Sequence, residues 1–220
     1  MNKKLWEASK QLKNNSNLFK FEKFISNKYN KNFSKDFEKI HKWSVSSSHN
    51  FWNSVWDFTS VKGAKNNQKP KKSSKFYKNI FLPKSKLNFT ENLLPKNNID
   101  KAITFISENG YRETKNWKKL NSNVKNISSF LKNLKIKSKD RVAAYMPNIP
   151  ETVEAFLGTV AIGSIWSSCS PDFGINGVVE RFSQIKPKIL WIIYRPFMYF
   201  FKISIESFFI FIRYKFFKFK

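Results

Sequence analysis

The 220-residue sequence has little of several residues that build common functional sites. It contains one cysteine, Cys169, which excludes an internal disulfide framework and any zinc site built on several thiolates. Its two histidines, His41 and His49, leave little for a histidine-rich metal centre. With six glycines it contains neither G-x-G-x-x-G nor G-x-x-x-x-G-K-[ST], so the common glycine-rich phosphate-binding motifs are absent from the sequence.

Acidic residues and arginine are also scarce. There are 15 Asp and Glu against 41 Lys and Arg, a net charge of +26, which is typical of nucleic-acid-binding proteins. Only five of the 41 are arginine, however, and arginine makes most bidentate contacts to phosphate and guanine. Asn, Ile and Phe are abundant too, and they share AT-rich codons with lysine. We therefore attribute the charge to base-composition bias, with a functional polycation as the alternative, and expect only nonspecific binding to nucleic acid.

Residues 1–13 carry charges that no apolar run follows, which predicts that there is no secretory signal. Together with the single cysteine, this favours a reducing, cytoplasmic location. Hydrophobic residues make up 41% of the chain and aromatic residues 17%, so the sequence can bury a sizeable core.

Residues 1–61 predict an N-terminal helical cap. Asn17 is a candidate N-cap for the first long helix, and Phe37 and Ile40 are predicted to point inward from a second. A third helix after the serine run carries a broad aromatic face, which we expect to pack on the next domain of the chain, with a partner groove as the alternative. Residues 62–98 are then predicted to be a basic linker and docking segment.

From residue 99 to 191 the pattern changes to alternating strands and helices. A hairpin turns at the Asn109-Gly110 pair, and a long amphipathic helix follows over 117–134. Strands are then predicted at 141–146, 165–169 and 188–193, with helices between them. The predicted fold class is α/β: an N-terminal helical cap followed by a partial parallel sheet with flanking helices.

The tail, residues 192–220, departs from this pattern because Phe, Ile, Lys and Tyr fill 22 of its 29 positions. Arg195, Lys202 and Glu206 interrupt every apolar run, and charges near the middle of a membrane helix cost several kcal/mol each. We interpret the tail as out-of-frame or otherwise non-native sequence, with a membrane anchor as the alternative.

The segment WSSCSPDFG, residues 166–174, follows a predicted strand and precedes a predicted helix. Parallel sheets bind ligands at this carboxyl edge of their strands. Its small hydroxylic residues, Pro-Asp turn and glycine allow a ligand to approach the backbone, although a plain surface loop is the alternative. Cys169 is predicted to be a core residue, because a lone strand cysteine without a histidine partner is rarely a nucleophile.

Three stretches carry a resemblance to a known family: KWSVSSSHNFWNSVWDF, KLNFTENLL, and the long stretch from DRVAAYMPNIPETVEAF to QIKPKIL that contains IWSSCSPDFG. Together they resemble the N-terminal part of the acetoacetyl-CoA synthetases (acetoacetate–CoA ligases), a branch of the AMP-forming adenylating superfamily. The resemblance runs from about residue 5 to residue 190, and IWSSCSPDFG is its most specific string.

The resemblance implies ATP-dependent ligation of acetoacetate to coenzyme A through an acyl-adenylate, with ATP, Mg²⁺ and CoA required. It implies that Ser170, Pro171 and Asp172 form a loop on the CoA side. It supplies no catalytic residue and no metal ligand, because the family's phosphate loop, adenine pocket and mobile lysine come later in its sequences. The resemblance also implies an arginine-bearing loop just after the strand that contains K-I-L. This sequence has no convincing counterpart of that loop, because Arg195 lies in the aberrant tail. We therefore expect a truncated chain that is inactive alone; the alternative is a non-catalytic binding or membrane-associated module.

Overall fold

The computed structural model describes residues 5–194 and 197–202 of the chain. They divide into two compact units, with the boundary between Leu87 and Asn88. The boundary between them falls inside the segment 62–98 that the sequence predicts as a linker. Most of the tail predicted at 192–220 lies outside the described residues, including Arg195 and all of 203–220.

The first unit is helical, as its sequence predicts. Its helices are α1 (Lys10–Asn15), α2 (Asn17–Tyr29), α3 (Phe37–Ser46) and α4 (Ser48–Phe58). Two details differ from the sequence-based expectation. The N-cap of α2 is Ser16, whose side-chain oxygen accepts from the Phe19 backbone N–H at 3.1 Å, and Asn17 is already helical. Ile40 is buried as expected, but Phe37 is 58% exposed, because it lies in the first turn of α3 at the end of the apolar stripe.

Aromatic rings fill the core of this helical unit. The buried cluster brings together Phe21, Ile25, Phe33, Ile40 and Trp43. The Trp43 ring alone lies 5.4 Å from Tyr29, 5.5 Å from Phe33 and 6.1 Å from Phe51, measured between ring centroids. Tilted and edge-on ring pairs at these distances stabilise by about 0.5–1.5 kcal/mol each beyond their burial.

The predicted linker carries local order after α4. Strand β1 (Gly63–Ala64) pairs antiparallel with β2 (Lys86–Leu87). Between them, Lys71 and Ile80 exchange two backbone hydrogen bonds of 2.9 Å around a single 3₁₀ turn over Phe76–Lys78. These contacts lie within the first unit.

The second unit contains the hairpin, long helix and alternating elements that the sequence predicts. Its elements in chain order are α5 (Phe89–Leu93), β3 (Lys101–Ile106), β4 (Arg112–Asn116), α6 (Trp117–Asn133), β5 (Arg141–Tyr145), α7 (Pro150–Ala161), β6 (Ile165–Cys169), α8 (Ile175–Ile185), β7 (Ile189–Tyr194) and β8 (Phe197–Lys202). Strands β3 and β4 form an antiparallel pair of their own.

The four-stranded sheet has the order β6-β5-β7-β8. Strand β5 is parallel to both β6 and β7, which confirms the predicted parallel sheet, and β8 is antiparallel to β7. In this register Tyr145, the last residue of β5, lies opposite Cys169, the last residue of β6. Both strands therefore end at the same edge of the sheet.

Successive residues of β5 point to opposite faces of the sheet, and each face is covered by helices. On one face Val142 and Ala144 pack in a cluster with Leu131 of α6 and Ala155 of α7. On the other face a second cluster combines residues of β5, β6 and β7 with α8: Ala143, Cys169, Val178, Phe182, Leu190 and Ile192. Helices therefore cover both faces of the sheet, α6 and α7 on one and α8 on the other.

No helix within residues 5–194 and 197–202 is both long enough and apolar enough to cross a lipid bilayer.

Candidate functional site

The loop Ser170–Gly174 joins the carboxyl end of β6 to the start of α8. It lies at the sheet edge where β5 also ends, which is the position that parallel sheets use for ligands. The Met146 backbone N–H donates to the Cys169 carbonyl at 3.3 Å and extends the pairing of the two strands by one step. The sheet therefore fixes where the loop begins.

The three residues that the sequence singles out lie together in a tight turn. The Phe173 backbone N–H donates to the Ser170 carbonyl at 3.1 Å and closes the turn. Inside it the Ser170 hydroxyl donates to the Asp172 carboxylate at 2.6 Å. Pro171 and Asp172 are exposed and Ser170 is half-buried, so the turn presents a carboxylate to solvent.

Tyr145 holds this turn from the neighbouring strand. Its hydroxyl lies 2.8 Å from the Pro171 carbonyl oxygen and 3.0 Å from the Phe173 carbonyl oxygen, and its single proton is shared between these two acceptors. Burial, followed by the nearby Asp172 and Cys169, raises the pKa of the Tyr145 phenol. The phenol therefore stays protonated, and able to donate, throughout the neutral range.

Sequence reasoning missed this role of Tyr145. The available signal was positional: a polar aromatic residue stands at the last position of β5, and parallel pairing places that position beside the end of β6. Predicting the bond also required the shape of the turn, which the sequence pattern does not give.

A second contact holds the loop on the side of α8. The guanidinium carbon of Arg181 lies 4.3 Å from the centroid of the Phe173 ring, a cation–π geometry. Arg181 also donates from Nη1 to the Gly177 carbonyl at 3.1 Å, which turns its side chain back along its own helix. The loop is thus held at Pro171 and Phe173, while Asp172 between them remains open.

Cys169, at the end of β6, is buried and has 5% exposure, which confirms its prediction as a core residue. Burial raises the pKa of its thiol, and the nearby Arg181 only partly opposes this. A protonated, enclosed thiol is a poor nucleophile.

Several titratable groups elsewhere in the described residues pair with oppositely charged side chains, as Lys115 does with Glu151 and Glu154. Within 5–194 and 197–202, no three His, Cys, Asp or Glu side chains come together in a group that could hold a metal ion. At the sheet edge, the loop presents the Ser170 hydroxyl, the Asp172 carboxylate and its own backbone as hydrogen-bonding groups.

Comparison with known proteins agrees with this architecture. Residues 96–200, which contain the sheet and its edge loop, match a family model described as "AMP-binding enzyme". The structure resembles that of a solved acetoacetyl-CoA synthetase from Streptomyces lividans, with a TM-score of 0.79 and 26% identity, over 87% of this chain and 30% of that one. The second unit therefore has the fold of part of an adenylate-forming enzyme domain.

Relatives in sequence indicate which branch of these enzymes the chain resembles. The acetoacetyl-coenzyme A synthetase of Rhizobium meliloti is 36% identical over 185 residues, which are 84% of this chain and 28% of that protein. A malonamoyl-CoA synthetase of Penicillium aethiopicum is 30% identical over 85% of this chain and 27% of its own length. The chain belongs to the acetoacetyl-CoA synthetase family of AMP-binding enzymes. It spans somewhat more than a quarter of the length of these two relatives.

Proposed function

We propose that the chain is the N-terminal part of an acetoacetate–CoA ligase. The reaction converts acetoacetate, ATP and CoA into acetoacetyl-CoA, AMP and pyrophosphate through an acyl-adenylate. The observation that carries the proposal is the joint match in sequence and fold to acetoacetyl-CoA synthetases, at 36% identity over 84% of the chain and a TM-score of 0.79 over 87% of it. Both matches extend well beyond the length of the sheet unit alone.

The loop residues Ser170, Pro171 and Asp172 are proposed to border the pantetheine arm of CoA. The exposed Asp172 carboxylate accepts hydrogen bonds, and the pantetheine arm carries two amide N–H groups that donate them. The same carboxylate repels phosphate, so the charged nucleotide end of CoA would lie away from this turn. The donor set of the loop therefore fits the neutral arm of CoA.

ATP and Mg²⁺ have no such fit among the described residues. No carboxylate cluster offers a metal site in 5–194 and 197–202, and the sequence has no P-loop motif. We therefore assign no residue of this chain to the ATP-dependent half of the reaction. We expect the 220-residue chain alone to form no acyl-adenylate.

A chimaera tests the proposal. Residues 5–190 would replace the matching region of the Rhizobium meliloti relative, and acetoacetate-dependent exchange of labelled pyrophosphate into ATP would be measured beside CoA-ester formation. We expect both activities in the chimaera and neither in the 220-residue chain alone. Acetate and malonamate, assayed in parallel, show whether acetoacetate is the preferred acid.

The Asp172→Asn variant of the chimaera separates the two half-reactions. Because pyrophosphate exchange needs no CoA, it should be unchanged, whereas the KM for CoA should rise. A folded chimaera without pyrophosphate exchange would contradict the proposed activity. An Asp172→Asn variant with reduced exchange and an unchanged KM for CoA would contradict the assignment of the loop to CoA.

A further inference from the structure

We propose that Tyr145 is a positioning residue for CoA binding: its hydroxyl fixes the turn 170–173 in the conformation that presents Asp172 to the pantetheine arm. This inference rests on the proposed function, because it assigns a task to a residue outside the loop that the family resemblance indicates. It goes beyond that proposal in placing the control of the loop on the neighbouring strand.

The hydrogen-bond geometry supports this assignment. The two carbonyl groups that share the Tyr145 proton, those of Pro171 and Phe173, stand on either side of Asp172. Fixing both carbonyls restricts the backbone rotations that direct the Asp172 side chain. Within the turn, Ser170 restrains Asp172 twice: its hydroxyl donates to the Asp172 carboxylate at 2.6 Å and accepts from the Asp172 backbone N–H at 3.4 Å. Tyr145 therefore restrains, from outside the turn, the backbone on both sides of the exposed carboxylate, whereas Arg181 contacts only the Phe173 ring.

The ring of Tyr145 is held in place by packing. Its ring packs against the buried cluster formed by β5, β6, β7 and α8, and the residue lies opposite Cys169 in the parallel register. A loop that a packed strand already holds in its binding conformation loses less conformational entropy when ligand binds. Removing only the hydroxyl should therefore weaken binding to the loop and leave the packing of the sheet unchanged.

The test uses the full 220-residue chain, ¹⁵N-labelled, with Tyr145→Phe as the variant and Tyr111→Phe as its control. Tyr111 is 57% exposed in the β3–β4 turn, so its variant makes the same chemical change far along the chain from the loop. In Tyr145→Phe we expect the Phe173 amide to exchange with solvent about tenfold faster. The amides of β5 and β7 should exchange at the wild-type rate.

The second readout is titration with CoA and with pantetheine, followed by the amide shifts of residues 170–173. We expect both ligands to shift these amides in wild-type chain and in Tyr111→Phe, and Tyr145→Phe to bind about three- to tenfold more weakly. Pantetheine is the probe that separates the arm of CoA from its phosphates.

The outcomes are distinct. Wild-type chain that shows no shift with either ligand removes the proposed CoA loop and this inference with it. Wild-type binding that Tyr145→Phe leaves unchanged overturns only the positioning role. Faster exchange across β5, β7 and α8 in Tyr145→Phe would assign the hydroxyl to general stability instead. If the variant does not fold, the test uses wild-type chain whose tyrosines are labelled with ¹³C at Cζ. Adding ligand should then change the chemical shift of Tyr145 and leave that of Tyr111 unchanged. An unchanged Tyr145 shift overturns the proposal.

Discussion

The cores of the two units are built from different chemistry. The helical unit is filled by rings, with Phe21, Phe33 and Trp43 among its buried residues. Its buried carboxylate, Glu22, accepts from the Lys35 backbone N–H at 2.8 Å. The sheet unit has aliphatic layers on both faces of β5 and also buries a charged side chain, Lys115, with 8% exposure.

Lys115 belongs to a polar cluster that joins three elements of the sheet unit. From β4 its ammonium lies 2.6 Å from Glu151 and 3.0 Å from Glu154, both on α7. Asn123 of α6 donates to the same Glu154 oxygen at 2.7 Å. Ring contacts are tolerant of small rotations, whereas these bonds demand particular positions of donor and acceptor. Ring contacts therefore hold the helical unit together, whereas in the sheet unit the buried charged groups specify how the hairpin and the helices meet.

The largest effect is expected from Trp43→Ala in the helical unit. Trp43 is 5% exposed and contacts three other rings, so its removal leaves a large cavity. We expect the free energy of unfolding of this unit to fall by about 3–5 kcal/mol. Amide exchange, resolved by residue, measures each unit separately. Phe76→Ala, at a side chain 79% exposed, is the control and should change little. A loss below about 1 kcal/mol in Trp43→Ala would contradict the ring-filled core.

Lys115→Met should destabilise the sheet unit by about 3 kcal/mol, because it leaves the 4% exposed Glu154 without its counterion. The double variant Lys115→Met/Glu154→Leu should recover much of this loss, since it removes the unpaired charge as well. Urea unfolding followed by amide exchange in residues 101–161 measures both. If the double variant is no more stable than the single one, the unpaired charge of Glu154 is not what destabilises Lys115→Met.

The pH dependence of this cluster follows from Lys115. Burial alone would lower the pKa of its ammonium, but hydrogen bonds from Lys115 to Glu151 and Glu154 outweigh burial and raise that pKa above 10.5. A raised lysine pKa contributes stability that is complete below the unfolded value and is lost as the pH rises through the folded one. Wild-type chain should therefore lose this contribution only above about pH 10.5, a loss absent from Lys115→Met.

The parts of the fold that sequence reasoning recovered were those with strong local periodicity. The stripe of Leu120, Val124 and Leu131 predicted α6, and the Asn109-Gly110 pair predicted the hairpin turn. The position of the candidate loop followed from strand order alone, because a strand and a helix bracket it. These features depend on short-range patterns that a single sequence displays.

What the sequence did not reveal depends on contacts between distant residues. The buried Lys115 lies 36 and 39 residues from Glu151 and Glu154, and nothing in its own segment distinguishes it from the many exposed lysines. The bond from Tyr145 to Phe173 likewise spans 28 residues. The exposed Phe37 shows the opposite error, in which helical spacing predicted burial for a residue at the end of the stripe.

A smaller effect is expected from Gly158→Ala, which tests the aliphatic layer beside the ion cluster. A Cβ at Gly158 of α7 would lie 2.5 Å from Cγ2 of Ile127 on α6, so the two helices must separate or Ile127 must rotate. We expect a loss of about 1–3 kcal/mol in the sheet unit, measured by urea unfolding. Gly174→Ala meets nothing within 4 Å and is the control. A neutral Gly158→Ala would mean that this helix contact adapts as readily as the ring cluster.

The smallest effects are expected at two paired aspartates, one in each unit. In the sheet unit a Lys188 side-chain bond, then the Lys137 backbone N–H, hold the pKa of Asp140 below 3.8. In the helical unit Lys28 and Lys65 do the same for Asp57. The Asp140 carboxylate is 16% exposed and also accepts from the Lys137 backbone N–H at 2.8 Å, whereas the Asp57 carboxylate is 38% exposed and is bonded by lysine side chains. We therefore expect solvent to weaken the contacts of Asp57 more than those of Asp140.

Replacing each aspartate by asparagine therefore compares how much a charged contact stabilises each unit. We expect Asp140→Asn to cost about 1 kcal/mol at pH 7 and Asp57→Asn about half of that or less. A lowered carboxylate pKa contributes stability that is complete above the unfolded value and is lost as the pH falls through the folded one. The gap between wild-type chain and each variant should accordingly close below about pH 4 and stay constant from pH 5 to pH 8. Unfolding free energies measured across pH, unit by unit, test this. An Asp57→Asn effect larger than that of Asp140→Asn would mean that exposure does not set the strength of these pairs, and that the helical unit depends on charge contacts as much as on its rings.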